Sequence, residues 1–460
     1  MAGPAPRFAF RTVLRALLAL FLTLGLTTQQ VAAQSILRDA ETEELFDAMS
    51  APLIRAAGLN PRDVKVVMIN DGSINAFVAG GQVVYIHSGL ITVAANANEV
   101  QGVIAHELGH IAGGHVITSG EGIKQATGIS ILSLVVAAAA MAAGAGQAGM
   151  AILAAGQQAA LGKFLAFNRA QESSADQAGA KYLAASGISG RGSIAFFKRL
   201  QNLEFRYGIP QTDSYERTHP LSGERVAILL DRYERDPAWT VPTDPALEAR
   251  FQRVKAKLLG FINPRQALLT YPTSNTSVAA RYARAYAWHR TAYPEQALSE
   301  ASTLLTMMPR DPYFLELKGQ ILLESGRPTE ALPLLRESVA LTNAQPLIAT
   351  TFGHALIATE DDANFKEAAK VLKASVTRDN ENPFAWYQLG VVYEHNGDAP
   401  RAALATAEGF FLQGRPQLAE RSAKFAMAGI PQGTPDWIRA QDIALASEAA
   451  QEGGKKKRRK

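Results

Sequence analysis

Along the first 112 residues the apolar positions change period three times. Leu37, Leu45, Met49 and Leu53 recur at helical spacing, which predicts a helix over 35–60. Val64 to Asn70 (VKVVMIN) is a short, nearly continuous apolar run that fits a buried strand. Ile74 to Ile86 (INAFVAGGQVVYI) reads as two strands meeting at Gly80-Gly81, with Val83 and Tyr85 alternating with Val84 and Ile86. After His87-Ser88-Gly89 a helical period returns. Val100, Val103, Ile104, Leu108 and Ile111 line one side of a helix that Asn96 caps, with Glu99 three residues on in a capping-box position. Gly113-Gly114 weakens its end.

Ile129 to Leu161 is apolar, alanine-rich and uncharged. It is long enough for one membrane span of about 20 residues. Gly144, Gly146 and Gly149 should break it, and Gln147, Gln157 and Gln158 punctuate it. The expectation is a packed helical hairpin or a membrane-touching flap rather than a true span. From about 278 helical segments repeat with a period near 34: Ala297, Ala331, Ala368 and Ala402 recur in phase, and Gly319 and Gly390 precede two of them at equal distance. Trp386, Leu389, Gly390 and Tyr393 match the W-x2-L-G-x2-Y pattern of a tetratricopeptide repeat, after a break at Asn380–Pro383. The fold expected is mainly α with a small β-sheet, a first domain that holds the sheet followed by an α-solenoid. The boundaries expected are a signal peptide over 1–33, this first domain over 34–235 with its apolar insert at 129–161, a linker over 236–277, repeats over 278–446 and a disordered basic tail over 447–460. Repeats stabilised by nearest-neighbour stacking should fold without the first half.

Charge and composition change this picture at the ends. Arg7, Arg11 and Arg15 precede an apolar run from Ala16 to Leu26 that ends in Val31-Ala32-Ala33. That is a secretory signal, cut after Ala33. The run is too short to span a bilayer. The formal net charge of +4 falls to +1 without the signal and to −5 without the terminal KKKRRK, so a basic body for nucleic acid is absent. There are no cysteines. Thiol nucleophiles, thiolate ligands and a lipidated cysteine are therefore excluded, and the mature chain is expected in the periplasm, soluble or membrane-peripheral.

The candidate chemistry lies in VIAHELGHIAGGH, Val103 to His115. His106 and His110 share a helix face one turn apart, with Glu107 beside it: H-E-x-x-H, two zinc ligands and a general base. A catalytic zinc takes three protein ligands and keeps a fourth position open. His115 misses the metzincin spacing by one residue and, on a continued helix, lies about 140° off the zinc face, so it is expected to be structural or on the surface. Asn168 to Asp176 (NRAQESSAD) reads as a helix with Glu172 and Asp176 on one face. Glu172 suits the third ligand, and Asp176 suits the N–H of a ligand histidine, fixing its tautomer.

HELGH followed by NRAQESSAD, with NAF (Asn75–Phe77) and HSGLI (His87–Ile91) upstream and THPLSGERVAIL (Thr218–Leu229) downstream, resembles the gluzincin peptidases that include the CAAX prenyl endopeptidase and the bacterial inner-membrane heat-shock protease. The resemblance covers about 40–235. It implies a zincin-type metalloprotease domain over 34–235, with one zinc per chain held by His106, His110 and Glu172, Glu107 as catalytic acid/base and Asp176 behind the ligands. The signal and repeats resemble the periplasmic members of the family. This implies unfolded or misassembled envelope proteins as substrates and the outer-membrane β-barrel assembly machinery as a partner of the repeats. A peripheral membrane contact would run through 129–161.

Metal-assisted hydrolysis is the reaction implied. The strand around Val83–Ile86 is expected to take an extended substrate by edge pairing. His219, extended before Pro220, has two candidate catalytic roles of opposite sign: it donates to the oxyanion, or it takes the open metal position and holds the enzyme latent. The competing readings are a repeat-based chaperone or adaptor with a mostly latent protease domain, and an inner-membrane protease.

Overall fold

A computed structural model describes residues 36–142, 146–207, 219 and 223–458. The signal segment, Gly144, Ala145 and the neighbours of His219 lie outside the described residues.

The N-terminal half wraps helices around a four-stranded sheet. Strand β1 (Ile36–Leu37) precedes helix α1 (Ala40–Ala56), followed by β2 (Lys65–Ile69), β3 (Ala76–Ala79) and β4 (Val83–His87). The helix expected over 35–60 is therefore shorter: Asp39 caps it, its carboxylate accepting from Thr42 N, and Leu37 pairs with Met68. The sheet order is β1-β2-β4-β3, with β2 parallel to β4 and β3 antiparallel to it. The strand expected to accept a substrate, β4, is thus interior and paired on both sides. Among the described residues, the edge strand beyond it is β3.

Helices α2 (Ser88–Val93), α3 (Ala97–Ala112), α4 (His115–Ala142), α5 (Gly146–Ala185), α6 (Arg191–Tyr207) and α7 (Gly223–Glu234) follow. Leu45, Met49, Val84, Ile86, Ile104 and Leu108 are fully buried in the first core. The apolar insert is divided between two helices, α4 ending at Ala142 and α5 starting at Gly146, and forms the distal part of two long arms. Gly149 does not break α5, which runs on to the Glu172 segment. Each glycine costs about 1 kcal/mol in helix propensity. Here the small residues are used to bring the arms together: a Cβ on Gly156 would sit 2.0 Å from Ser133 Cβ.

The expected linker is a packed element. After a 3-10 turn (Pro237–Thr240), α8 (Pro245–Ile262) starts at Asp244, which caps Ala246 N, with Pro245 at its first position. Phe251, Val254 and Leu258 enter the first core, and the same helix packs on α10 (Val278–Arg290) beyond the short α9 (Pro264–Thr270). The repeats continue as helix pairs through α11 (Pro294–Met307), α12 (Pro312–Glu324), α13 (Pro328–Leu341), α14 (Pro346–Ile357), α15 (Asp362–Arg378), α16 (Pro383–His395), α17 (Ala399–Leu412), α18 (Pro416–Gly429) and α19 (Pro435–Arg458). The in-phase alanines are the buried contact points, with Ala297, Ala331 and Ala368 fully enclosed. Helix α19 runs on through the stretch expected to be disordered from 447. Ser447 is buried, Gln451 Nε2 donates to Glu420 Oε2 at 2.6 Å and Lys424 meets Glu448 at 2.8 Å.

Candidate metal centre

The site is built where α3 and α5 cross. Asn96 Oδ1 accepts from Glu99 N at 3.0 Å, and Glu99 Oε2 accepts from Ala95 N, so the start of α3 is fixed from both sides. Glu99 is buried and pairs with Arg199 at 2.9 Å. The helices approach through glycine. A Cβ on Gly109 would meet Ala175 O at 2.6 Å, and one on Gly179 would meet Ala105 O at 3.0 Å. At this backbone-to-backbone distance Glu172 and Asp176 reach the histidines of α3.

His106 Nε2 and His110 Nε2 stand 3.1 Å apart. Glu172 Oε2 is 3.4 Å from the first and Oε1 is 3.3 Å from the second. Asp176 Oδ1 lies 2.9 Å from His106 Nδ1; that hydrogen bond puts the proton on Nδ1 and the lone pair on Nε2. His219 brings Nδ1 to 3.2 Å from His106 Nε2 and 3.0 Å from Glu172 Oε1, while its Nε2 faces Ala76 O of β3 at 3.3 Å and Glu107 Oε1 at 3.4 Å. All four residues are buried, and their donor atoms lie within 4.8 Å of one another.

This donor set fits a metal. Tetrahedral bonds of about 2.0–2.1 Å place ligand atoms roughly 3.3–3.4 Å apart, and the separations that involve His106 or Glu172 run from 3.0 to 3.4 Å, in a set that spans no more than 4.8 Å. Lone pairs of three imidazoles and a carboxylate converge on one point, an arrangement a cation explains. Glu107 gives a second sign. It is wholly buried, and among the described residues neither carboxylate oxygen has a hydrogen-bond partner. A buried carboxylate without a donor is costly, so the position suits a group that receives a proton from a bound molecule.

Without a cation the charges settle on the protein. Although burial opposes it, hydrogen bonds to Asp176 and Glu172 push His106 up to about 10. Burial pushes His110 down. Against the opposing effect of burial, Glu172 and Asp176 are held well below the usual carboxylate range by the histidines and, for Asp176, by Arg225.

Two residues join the site that the sequence did not single out for it. Arg225 of α7 donates from Nε to Asp176 Oδ2 at 2.7 Å and from Nη2 to Asp176 Oδ1 at 2.9 Å, and reaches Glu172 Oε2 at 3.1 Å. Its place six residues after His219, on the next helix, was the available signal. His115, expected to be structural or on the surface, lies with Nδ1 2.9 Å from His110 Nδ1, behind the face of the ring turned to the centre.

The profile described as Peptidase family M48 matches residues 38–233. A beta-barrel assembly-enhancing protease of Yersinia pestis is 23% identical over 424 residues, covering 89% of this chain and 85% of that protein. The metalloprotease YcaL of Escherichia coli K12 is 32% identical over 187 residues, covering 40% of this chain and 68% of that protein. Among solved structures, YrrB, a TPR protein with an unusual peptide-binding site, covers 38% of this chain and 91% of its own at 22% identity and TM-score 0.32.

Proposed function

This chain belongs to peptidase family M48 and is a metalloprotease, and on that premise we propose that it is a zinc-dependent endopeptidase of the periplasm, held latent by His219. The proposed ligands are His106, His110 and Glu172, with one zinc per chain. Three imidazole nitrogens and a carboxylate gathered within 4.8 Å of one another support zinc over a hard cation that prefers oxygen. When bound, the metal polarises the scissile carbonyl and makes water acidic enough to react near neutral pH.

The chain's own groups do the rest. Glu107 takes the proton of the attacking water and returns it to the leaving amine. Asp176 and Arg225 hold His106 and Glu172 in position. The edge strand β3, whose Ala76 O faces His219, offers backbone partners for an extended substrate, which suits unfolded rather than folded chains.

The observation that carries latency is the position of His219. Its Nδ1 completes the four-membered donor set, and its Nε2 sits against Ala76 O on the edge a substrate would use. Four-coordinate closure is the mark of inert zinc sites. An oxyanion donor would instead leave both places open, so the blocking role is better supported. The proposed substrates are unfolded or misassembled envelope proteins. By analogy with the assembly-enhancing relatives, the repeats are proposed to engage the outer-membrane β-barrel assembly machinery. The same closure favours a second reading, a repeat-based adaptor whose protease domain cuts rarely. Metal analysis of the mature chain together with casein hydrolysis, against Glu107→Gln, separates them. The peptidase reading expects about one zinc per chain and cleavage that Glu107→Gln lowers by 10²-fold or more, on the scale of general acid–base catalysis. Zinc without cleavage under any condition would leave the adaptor.

A further inference from the structure

The hairpin formed by α4 and α5 is built inside out for water. Its large apolar side chains face solvent: Ile131, Leu132, Leu134, Val135, Met150 and Leu161 are 53–65% exposed. Its inward positions are small. Ala137 and Ala160 are buried, and Gly156 lies against Ser133 so closely that no side chain fits. A soluble helical pair would put the leucines between the arms and polar groups outside. Packing by small residues with large apolar groups outward is how helices associate in lipid.

Length and charge say what covers this surface. Between Lys124 on α4 and Lys163 on α5 no residue is charged. At 1.5 Å per residue, Lys124 to Ala142 spans about 27 Å and Gly146 to Lys163 about 26 Å, close to the roughly 30 Å hydrocarbon core of a bilayer. The two lysines therefore stand level with each other at the base, where anionic headgroups would meet them. The segment from Gln147 is long and apolar enough to cross a membrane. It is neither an N-terminal signal nor the buried core helix of a soluble protein, since only 6% of the window is buried.

We propose that the α4–α5 hairpin inserts into a lipid bilayer, both arms crossing the hydrocarbon with Lys124 and Lys163 at the near surface. Full depth follows from the helix ends. The last carbonyls of α4 and the first N–H groups of α5 have no intrahelical partner, and only at the far interface does water satisfy them. The metal centre is rigidly tied to this anchor. Glu172 lies nine residues beyond Lys163 on the same unbroken helix, about 14 Å above the headgroups. This goes beyond the peptidase reading and does not depend on it.

The test is flotation of the mature chain with vesicles of phosphatidylethanolamine and phosphatidylglycerol, reconstituted from detergent. The chain should float and remain with the vesicles in 1 M NaCl and in alkaline carbonate. Leu132→Glu combined with Val135→Glu, at positions that face solvent, should weaken partitioning on the order of 10⁴-fold while the melting temperature in detergent holds. A chain that stays behind, or one stripped by salt or carbonate, would overturn the proposal. So would a lipid-free dimer, seen by sedimentation, that the double variant dissolves, because the hairpin would then be covered by a second copy.

Discussion

At the scale of single residues, the legible part of the site is the part carried by local spacing. His106 with His110, and Glu172 with Asp176, are each four apart on a helix, so each pair shares a face before any tertiary structure is known. The same rule keeps His115 off the metal face but does not give its position, because the helix does not continue to it. The helix ends at Ala112, Gly114 takes φ +64°, and a new helix starting at His115 swings the ring back to His110. The two kinds of contact predict different losses. Glu172→Gln removes a ligand atom and should weaken zinc binding by 10-fold or more, whereas His115→Ala removes only the group behind His110 and should leave the site filled at equimolar zinc. Competition with a chelator of known affinity measures both. Equal affinity of the Glu172 variant and the natural chain would take that residue out of the centre.

At the scale of elements, the crossing of α3 and α5 sets the site, and it rests on Gly109 and Gly179. Gly109→Ala discriminates between local and tertiary effects because they differ in sign. Helix propensity alone would stabilise by about 1 kcal/mol. A Cβ 2.6 Å from Ala175 O forces the helices apart at a cost of about 1–3 kcal/mol and carries Glu172 away from the histidines. A lower melting temperature and weaker zinc retention are expected; a higher melting temperature would mean the crossing is loose. Helix α8 was written in the sequence by Asp244-Pro245 and by Leu247, Phe251, Val254 and Leu258 at helical spacing, but its Pro- and Asp-rich approach reads equally as a linker. Strand order was not legible at all. Two strands joined at Gly80-Gly81 give a hairpin either way, and only the parallel pairing of β2 with β4 leaves β3 as the edge.

For the whole molecule, the repeats are fastened to the first half by charges that a sequence reading assigns to solvent. Lys257 of α8 meets Asp39 and Glu41 at 2.6 Å, and Arg253 bridges Glu41 and Asp311. Glu316 of α12 lines the cavity beside them, and burial, with the charge of Asp39, pushes its carboxyl up to about 8. An acid raised in the folded chain binds more protons there than when unfolded. Its contribution is therefore retained below about 4.5 and stability falls as pH rises toward 8. Glu316→Gln should raise the melting temperature on the order of 2–4 °C at pH 8 for each kcal/mol regained, and leave it unchanged near pH 4.5; the same difference at both pH values would exclude this origin. All of these features surround one claim, that a metallopeptidase centre is closed by its own histidine. The most direct measurement is the rate of casein hydrolysis by zinc-loaded His219→Ala against the natural chain, with His219→Ala/Glu107→Gln as the blank. A rate raised about 10-fold or more, abolished in the blank, is the result this account predicts. A rate that falls, as the loss of an oxyanion donor worth about 10² would make it, or that does not change, would contradict it.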